Sequence, residues 1–381
     1  MKNWKFYAMI LFAAAAFTAC DDDDDEIVEN VTDETEETED EAEAEEEETA
    51  DSYGILIVNS GNQSSSIDGD FTTVDYSDNF AAYTGWFVDV NERSLGLTSN
   101  ASCIYGSQIY TAVTASNTIE ICDKATFEST YQISLADDAT LLEPRDVVAY
   151  AGYVYVSLYS GHVCKIDTTD YSIVDYVEVG SYPEKMGIAN GMLYVPNSGY
   201  GSGTTISEID LSTFTTTREI TCPINPVQVK ADANENVYIL TSGEYDSSTY
   251  EQIGAGVYIL DTDNETYELV TDATLMDIPA GTNTLYVVNA PYLGDGVSYG
   301  KVDLTDDTYE LETLDISADS PAGIAVDPVY GYIVLSSYEL GDYGYASYST
   351  PGYANIYSSD CSLLTTIETG VGPCAIYFYA D

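Results

Sequence analysis

The side chains that most often carry out acid–base or nucleophilic chemistry are scarce in this sequence. His162 is the only histidine, and no serine or cysteine near it has the spacing of a nucleophile–histidine pair. A metal site that needs two or more imidazoles is therefore excluded. Asp and Glu are so abundant that a carboxylate pair of the glycosidase kind is conceivable, yet no pair stands out. This scarcity of catalytic side chains predicts that the protein is not an enzyme. The alternative is a propeller enzyme.

Metal binding and disulfides are also weakly supported. Asp261, Asp263 and Glu265 bring three carboxylates to one turn, and such oxygens can bind calcium. They do not match the spaced loop of an EF-hand, so we interpret them as a solvated turn and predict no metal. The six cysteines after residue 100 contain no CxxC pair, and several fall on predicted strands, where cysteine behaves as a small hydrophobic residue. A Cys103–Cys374 disulfide is conceivable but is not predicted.

Short strands are the elements that would position a binding site. Residues 144–180 read PRDVVAYAGYVYVSLYSGHVCKIDTTDYSIVDYVEVG, and each Val/Ile/Tyr-rich run has the composition of a half-buried strand. Gly152, Gly161 and the turn at 167–170 separate the runs. This stretch predicts an antiparallel meander of four strands, at 146–150, 153–158, 162–166 and 172–179.

The same unit recurs along the chain. Its third strand ends on an aspartate at intervals of 42 to 57 residues, which is a repeat length of propeller blades. These aspartates are Asp123, Asp167, Asp210, Asp261, Asp303 and Asp360, with a degenerate copy at Asp78. First strands often open on proline, as at Pro144, Pro183, Pro226, Pro321 and Pro373. We therefore predict an all-β, seven-bladed β-propeller over residues 52–381.

The two ends of the chain are predicted to share one blade. The N-terminal copy starts at its second strand, near Ile55, whereas the chain finishes on a lone first strand, PCAIYFYAD. Together they would complete four strands and close the ring, which leaves only short, protected edges.

Long loops are predicted on one face of the ring. They join second to third strands at 61–70, 198–203, 242–256, 290–300 and 336–354, and loops on a rigid scaffold commonly carry recognition. Tyrosine, which offers a flat apolar ring and a hydroxyl, is concentrated there. The nine positions are Tyr200, Tyr245, Tyr250, Tyr292, Tyr338, Tyr343, Tyr345, Tyr348 and Tyr353. The pattern favours a binding face, although strand-rich secreted proteins also use much tyrosine.

The N-terminus has the features of an export signal. Lys2 and Lys5 precede an apolar run too short to span a membrane, and FTAC ends it at Cys20. Residues 1–19 resemble a lipoprotein signal peptide, with Cys20 as the lipidated residue; an ordinary secretory signal is the alternative. Residues 20–51 form an acidic tether that cannot collapse. Asp21–Asp25 resembles the tag that directs some lipoproteins to the cell surface, although the tether could be only a spacer.

Charge limits the class of partner. From residue 52 onward there are 46 Asp or Glu against 8 Lys or Arg, a net charge of about −38. Nucleic acid and polyanionic glycans should be repelled. Neutral ligands, cationic ligands and divalent cations are compatible with this charge.

The units PRDVVAYAGYVYVSLYSGHVCKID, PEKMGIANGMLYVPNSG and PAGIAVDPVYGYIVL resemble the YncE/YVTN-type propeller repeat. With the signal, the acidic tag and ILIVNSGN, the whole chain resembles surface propeller lipoproteins of the outer membrane. The BtuG type of that group captures cobalamin and caps a TonB-dependent transporter. The resemblance implies a lipid-anchored, surface-exposed protein without a cofactor that captures a small nutrient, best a corrinoid, for such a transporter. A glycan-binding or adhesive propeller is the alternative.

Strand ends around the mouth of the central channel supply the candidate binding residues. Flat aromatic rings could stack on a corrin edge, amides could bond its amide side chains, and a base could meet its phosphate. Arg145 and Lys185 could instead only neutralise nearby acids. The predicted site comprises Asn59, Arg145, Tyr159, Lys185, Asn197, Asn289, Tyr292, Tyr338 and Tyr343.

Overall fold

The computed structural model describes residues 52–292, 296–306 and 308–380. The predicted signal peptide (1–19), the lipidation site Cys20 and the acidic tether to residue 51 lie outside the described residues. Within the described part, no helix has the length and apolar composition needed to cross a membrane.

Seven four-stranded antiparallel sheets form the blades of a β-propeller, as the repeat predicts. Strands are counted here from the channel outward. Blade 1 contains Pro373–Ala380, Ser52–Asn59, Asp70–Asp75 and Ala81–Thr84. Blade 2 contains Ser99–Tyr105, Gln108–Val113, Thr118–Asp123 and Ser129–Ser134. Blade 3 contains Pro144–Tyr150, Tyr153–Leu158, His162–Asp167 and Ile173–Glu178.

The remaining four blades follow in chain order. Blade 4 contains Gly187–Ala189, Met192–Asn197, Thr205–Asp210 and Thr215–Thr221. Blade 5 contains Pro226–Ala231, Val237–Thr241, Gly256–Asp261 and Thr266–Thr271. Blade 6 contains Leu275–Asp277, Thr284–Asn289, Ser298–Asp303 and Leu311–Thr313. Blade 7 contains Pro321–Val326, Ile333–Ser337, Pro351–Tyr357 and Leu363–Val371.

The predicted sharing of blade 1 is confirmed. The last strand pairs antiparallel with the first one in the chain, so that Ile55 lies opposite Phe378 and Ile57 opposite Ile376. Ile55 and Ile57 are fully buried. Ring closure therefore depends on hydrogen bonds between residues more than 300 positions apart.

Each pair of neighbouring blades encloses its own apolar layer. Between blades 2 and 3, for example, Ile121 and Ile133 pack with Val147, Val154 and Cys164, all buried. Second strands are buried along their length, as in Tyr153–Leu158, because they have a blade on each side. Full burial of one such aliphatic side chain stabilises the fold by about 1.5–3 kcal/mol relative to exposure.

Hydroxyl groups near the ends of second strands tie one blade to the next. Ser157 donates to the carbonyl oxygen of Glu184 at 3.0 Å, and Ser336 donates to that of Pro373 at 2.8 Å. Thr114 makes a similar bond of 2.5 Å to Pro144. These bonds fix the starts of first strands, which surround the channel.

The recurring aspartate caps the hairpin between the third and fourth strands. In Asp210, for example, Oδ1 accepts the N–H groups of Ser212 and Thr213, which makes an Asx-type turn. In blade 1 this position is Asp75, whose Oδ1 accepts from Ser77, so the degenerate copy at Asp78 was assigned three residues too late. The aspartates that mark the repeat thus serve the turn.

The connections between second and third strands are the elaborated ones, as predicted. They carry the 3-10 helices Gln63–Ser65 and Gly199–Gly201 and the small hairpin of Glu244–Tyr245 with Gln252–Ile253. One α-helix, Trp86–Asn91, follows blade 1. Seven of the nine predicted loop tyrosines are exposed, whereas Tyr338 and Tyr353 are half-buried.

Candidate functional site

The candidate site lies at the channel mouth, defined here as the starts of the first strands of blades 3 and 4 with the loops above them. The first strand of blade 3 begins Pro144-Arg145-Asp146, and Pro183-Glu184-Lys185 leads into the first strand of blade 4 at the equivalent position. Opposite charges therefore face each other. Arg145 occupies a β-bulge between Pro144 and Asp146, which takes it out of the alternation of a regular strand.

Arg145 is held by Glu184. Its Nε lies 2.6 Å from Glu184 Oε2, and both side chains are more than four-fifths buried. Glu184 Oε1 also accepts from Ser198 Oγ at 3.2 Å and from Tyr159 at 3.4 Å. Burial alone would lower the pKa of Arg145, but the charge and hydrogen bond of Glu184, together with smaller contributions from Tyr159 and Asp146, raise it. Glu184 therefore balances the positive charge of Arg145 and fixes its side chain in the wall of the channel mouth.

Three tyrosine rings continue outward from Arg145. The guanidinium carbon lies 5.9 Å from the ring centroid of Tyr159, Tyr159 packs on Tyr182 at 5.4 Å, and Tyr182 packs on Tyr200 at 5.2 Å. Exposure rises along the series to 83% at Tyr200. Burial raises the pKa of Tyr159 to about 12, so its hydroxyl stays protonated. We call this series the tyrosine ladder.

The backbone of the ladder is unusual. Tyr182 and Tyr200 have φ of 50° and 56°, a left-handed conformation that is uncommon for bulky residues. Ser198 holds the Tyr182 segment, because its N–H and its hydroxyl both donate to the Tyr182 carbonyl oxygen, at 3.1 and 3.0 Å. Such conformations persist where surrounding contacts impose them, and they cluster at binding sites.

Below the mouth, the first strands of six blades line a cavity of about 170 Å³. Lys185 lines this cavity, and burial lowers its pKa, with a further contribution from the charge of Arg145. Lys230 Nζ is paired with Asp277 Oδ1 at 2.7 Å. Among the described residues, Lys185 is the one lysine or arginine whose side chain makes no direct ion pair, hydrogen bond or aromatic ring contact.

The structure brings three predicted site residues together: Arg145, Tyr159 and Lys185. It places two others inside the blades instead. Asn59 and Asn197 are 1% and 2% exposed, and they donate to Thr72 at 2.9 Å and to Ser207 at 2.9 Å within their own sheets. Their amides support the fold and do not reach the mouth.

The other four predicted residues are spread over blades 6 and 7. Asn289 is half-buried at the end of its strand. Tyr292 is exposed, and its ring meets Tyr245 edge-on at 5.9 Å. Tyr338 meets Tyr348 at 4.8 Å, and burial raises its pKa to about 12. Tyr343, in the blade 7 loop, is 89% exposed.

Sequence reasoning missed Tyr182, Glu184 and Asp146, which complete the mouth. The signal was present in the paired tripeptides Pro-Arg-Asp and Pro-Glu-Lys, because equivalent positions of neighbouring blades lie side by side. Tyr200 was noted as a loop tyrosine but was not assigned to the site.

The histidine and cysteine side chains are the ones that could support catalysis or metal binding, but the contacts they make belong to the fold. His162 packs against Tyr176 at 5.8 Å, and its Nδ1 is buried without a partner. All six described cysteines are free. Burial raises the thiol pKa of five of them, so these thiols are protonated at neutral pH: Cys103, Cys122, Cys164, Cys222 and Cys374.

The carboxylates of the acidic turn in blade 5 also make contacts within the protein. Asp261 Oδ1 accepts the N–H groups of Asp263 and Asn264, and Glu265 lies 3.5 Å from Arg218. Within residues 52–292, 296–306 and 308–380, no group of three or more His, Cys, Asp or Glu side chains is arranged to hold a metal ion.

No family model and no curated protein sequence matches this chain. Solved structures with a similar fold include a quinonprotein alcohol dehydrogenase-like protein from Bacteroides thetaiotaomicron, at 16% identity and a TM-score of 0.61 over 87% of this chain and 79% of that one. A protein from Bacteroides fragilis, provisionally assigned as a 6-phosphogluconolactonase, has 12% identity and a TM-score of 0.62 over 86% and 98%. Hydrazine synthase of Kuenenia stuttgartiensis has 14% identity and a TM-score of 0.58 over 74% and 92%. These similarities show a shared propeller fold.

Proposed function

We propose that this chain is a non-enzymatic propeller that binds a small nutrient at the channel mouth. The leading ligand is a corrinoid, captured at the cell surface and passed to a TonB-dependent outer-membrane transporter. The proposal extends the YncE-like and BtuG-like resemblance of the sequence, and the mouth is the part of the structure that supports it.

The unpaired charge of Lys185 beside the tyrosine ladder is the observation that carries the proposal. The charges of Asp146 and Glu184 lie near this buried ammonium but form no direct ion pair with it, and an anionic group of a ligand could supply that pairing. Arg145 cannot serve in this way because Glu184 already holds it. Lys185 is therefore the base that would meet the corrinoid phosphate.

The ligand would lie across the mouth, with its bulk outside the channel. The cavity of about 170 Å³ is smaller than the roughly 300–1,000 Å³ of ordinary small-molecule pockets. A planar macrocycle could stack on the exposed rings of Tyr182 and Tyr200, while its phosphate extends toward Lys185. A ligand that carries only negative charge would bind less favourably, because residues 52–381 have a net charge of about −38.

The cysteine and histidine side chains of the described residues show no activated nucleophile, which supports binding over catalysis. The cysteine thiols with raised pKa are protonated, and His162 has no nucleophile as a partner in the described contacts. We therefore do not propose for this chain the enzyme activities that are named for proteins of similar fold.

Calorimetry with cyanocobalamin on the purified protein tests the ligand. We expect saturable binding, and Tyr182→Ala or Lys185→Ala should each weaken it by about tenfold or more, as anchors at the centre of an interface do. Lys301→Ala, which removes an exposed ion pair with Glu312, is the matched control and should bind normally. Absence of heat and of a thermal shift at about 1 mM ligand would exclude the corrinoid.

Protease shaving of intact cells tests the location. Cys20→Ser should release the protein from the membrane, because acyl chains supply the anchor. Replacement of Asp21–Asp25 by asparagine should protect the protein from external protease while it stays lipidated. If external protease digests the wild type and the asparagine variant equally, the acidic run is only a spacer.

A further inference from the structure

A second concave surface lies away from the channel, between the loops of blades 1 and 7. It encloses about 400 Å³, which falls within the range of small-molecule pockets. We call it the Tyr343 cleft. Its lining includes Asn62, Ser64, Asp342, Tyr343, Tyr345 and Tyr348, and none of its lining residues also lines the channel cavity.

The walls of the cleft are fixed by hydrogen bonds within and between the two loops. In the blade 7 loop, Gly341 donates to the carbonyl oxygen of Tyr345 at 2.8 Å, and Ser347 donates to that of Glu339 at 2.8 Å. Asn62 of the blade 1 loop donates through Nδ2 to the carbonyl oxygen of Tyr348 at 2.7 Å. The cleft is therefore built before any ligand arrives, which reduces the entropy lost on binding.

The rings in this cleft are unusually open to solvent. Tyr343 and Tyr345 are 89% and 78% exposed, whereas the ring of Tyr348 packs against that of Tyr338. Side chains of this size normally bury their rings, so adjacent exposed rings on a rigid loop indicate a surface that a ligand covers.

The polar groups of the cleft define the class of ligand. Ser64, Asp342 and the tyrosine hydroxyls supply hydrogen-bond donors and acceptors around the aromatic surface. Among the described lining residues there is no lysine or arginine to receive a phosphate, sulfate or carboxylate. With one acid in the cleft and a strongly negative ring around it, an anionic ligand is disfavoured.

A hexose combines the two features that this surface offers. Its apolar C–H face stacks on a tyrosine ring, and its hydroxyls form hydrogen bonds at the rim. We propose that the Tyr343 cleft binds a neutral saccharide, with Tyr343 and Tyr345 as stacking platforms and Asp342 and Ser64 as hydrogen-bonding partners. This site is independent of the channel mouth and of the corrinoid proposal.

Calorimetry with neutral oligosaccharides tests this proposal on the full-length protein. The probes are maltohexaose, cellohexaose, xylohexaose and mannohexaose. At least one should bind saturably, and Tyr343→Ala and Tyr345→Ala should each weaken it by about tenfold, corresponding to roughly 1.4 kcal/mol. Because both rings are exposed, neither substitution should lower the melting temperature.

Two further variants separate this site from alternatives. Tyr267→Ala removes an exposed tyrosine of the fourth strand of blade 5 and should leave saccharide binding unchanged, as should Lys185→Ala at the channel mouth. The proposal is overturned if none of the probes binds at about 10 mM, or if the Tyr343 and Tyr345 variants bind like the wild type. Displacement of bound saccharide by cyanocobalamin would also overturn it, because the cleft would then belong to the corrinoid site.

Discussion

The carboxylate of Asp146 accepts a 2.7 Å hydrogen bond from the backbone N–H of Met186, which joins the first strand of blade 3 to the start of blade 4. The same relationship recurs between Asp277 and Val326, at 2.8 Å, where it joins blade 6 to blade 7. Both aspartates are buried in the channel wall. Polar residues of the channel thus hold the ring together, and they shape the floor of the candidate site.

Removal of the Asp146 acceptor should destabilise the ring. Asp146→Ala leaves a buried N–H at Met186 without a partner, at a cost of about 1–3 kcal/mol. Asp146→Asn keeps an oxygen in the same place and should lose less. Both variants lose the charge beside Lys185, so the difference between them in urea unfolding isolates the hydrogen bond. Equal losses would show that the charge, not the bond to Met186, is what matters.

The final strand should be essential for closure. A variant that ends at Gly372 exposes Ile55 and Ile57 and leaves one edge of Ser52–Asn59 unpaired, which favours aggregation. We expect a lower melting temperature and oligomers in light scattering. A variant that lacks only Asp381 keeps the Pro373–Ala380 strand and is the control. If the variant that ends at Gly372 has the same melting temperature as the full-length protein, closure by this strand is disproved.

The fold could be predicted from the sequence because blade structure is a local pattern. The Val- and Tyr-rich run Tyr153–Leu158 and the turn at Asp167 each specify their own conformation, and seven copies reinforce one another. The site depends on contacts between blades, which single-strand patterns do not report. Arg145 sits in a bulge, so alternation could not place its side chain, and its partner Glu184 lies in another repeat.

The buried asparagines illustrate the same limit. Asn59 and Asn197 end second strands in the sequence motif Asn-Ser-Gly, and polar residues at strand ends commonly face solvent. Here each amide is covered by the preceding blade, through Gly370 in its fourth strand or through Gly180 just after it. Gly370 donates to Thr72 Oγ1 at 3.2 Å beside Asn59, and Gly180 donates to Ser207 Oγ at 3.3 Å beside Asn197. Only the assembled ring reveals this packing.

These two glycines should not tolerate a side chain. A Cβ at Gly180 would overlap the amide of Asn197, and one at Gly370 would lie 2.7 Å from Asn59 Nδ2. We expect Gly180→Ala and Gly370→Ala each to lower the free energy of unfolding by about 1–3 kcal/mol, the usual cost of overpacking. Gly341→Ala, where the nearest atom would lie 3.6 Å away, is the control. Similar losses in all three variants would rule out steric overlap as the cause.

A pH-dependent contribution to stability should come from Asp70, at the start of the third strand of blade 1. Burial raises its pKa to about 6, the N–H of Phe71 partly opposes this, and the charge of Asp89 adds to it. The folded state therefore holds a proton on Asp70 at pH values where the unfolded chain, with a pKa near 3.8, has released it. Between those two values, the contribution of Asp70 to the free energy of unfolding falls as pH rises.

Asp70→Asn should remove this penalty. Relative to the wild type, the variant should gain about 1–3 kcal/mol at pH 7–8, and the gain should shrink to nothing below about pH 4. Asp360→Asn provides a control of opposite sign. Hydrogen bonds from Ser358 and Ser362 lower the pKa of Asp360, so its stabilising effect is present above the unfolded pKa and is lost as pH falls through the lowered value. Urea unfolding of the three proteins from about pH 2 to 8 measures both effects, since the Asp360 contribution changes only below its unfolded pKa of 3.8. A difference between Asp70→Asn and the wild type that stays constant over this range would show that Asp70 titrates alike in the folded and unfolded states.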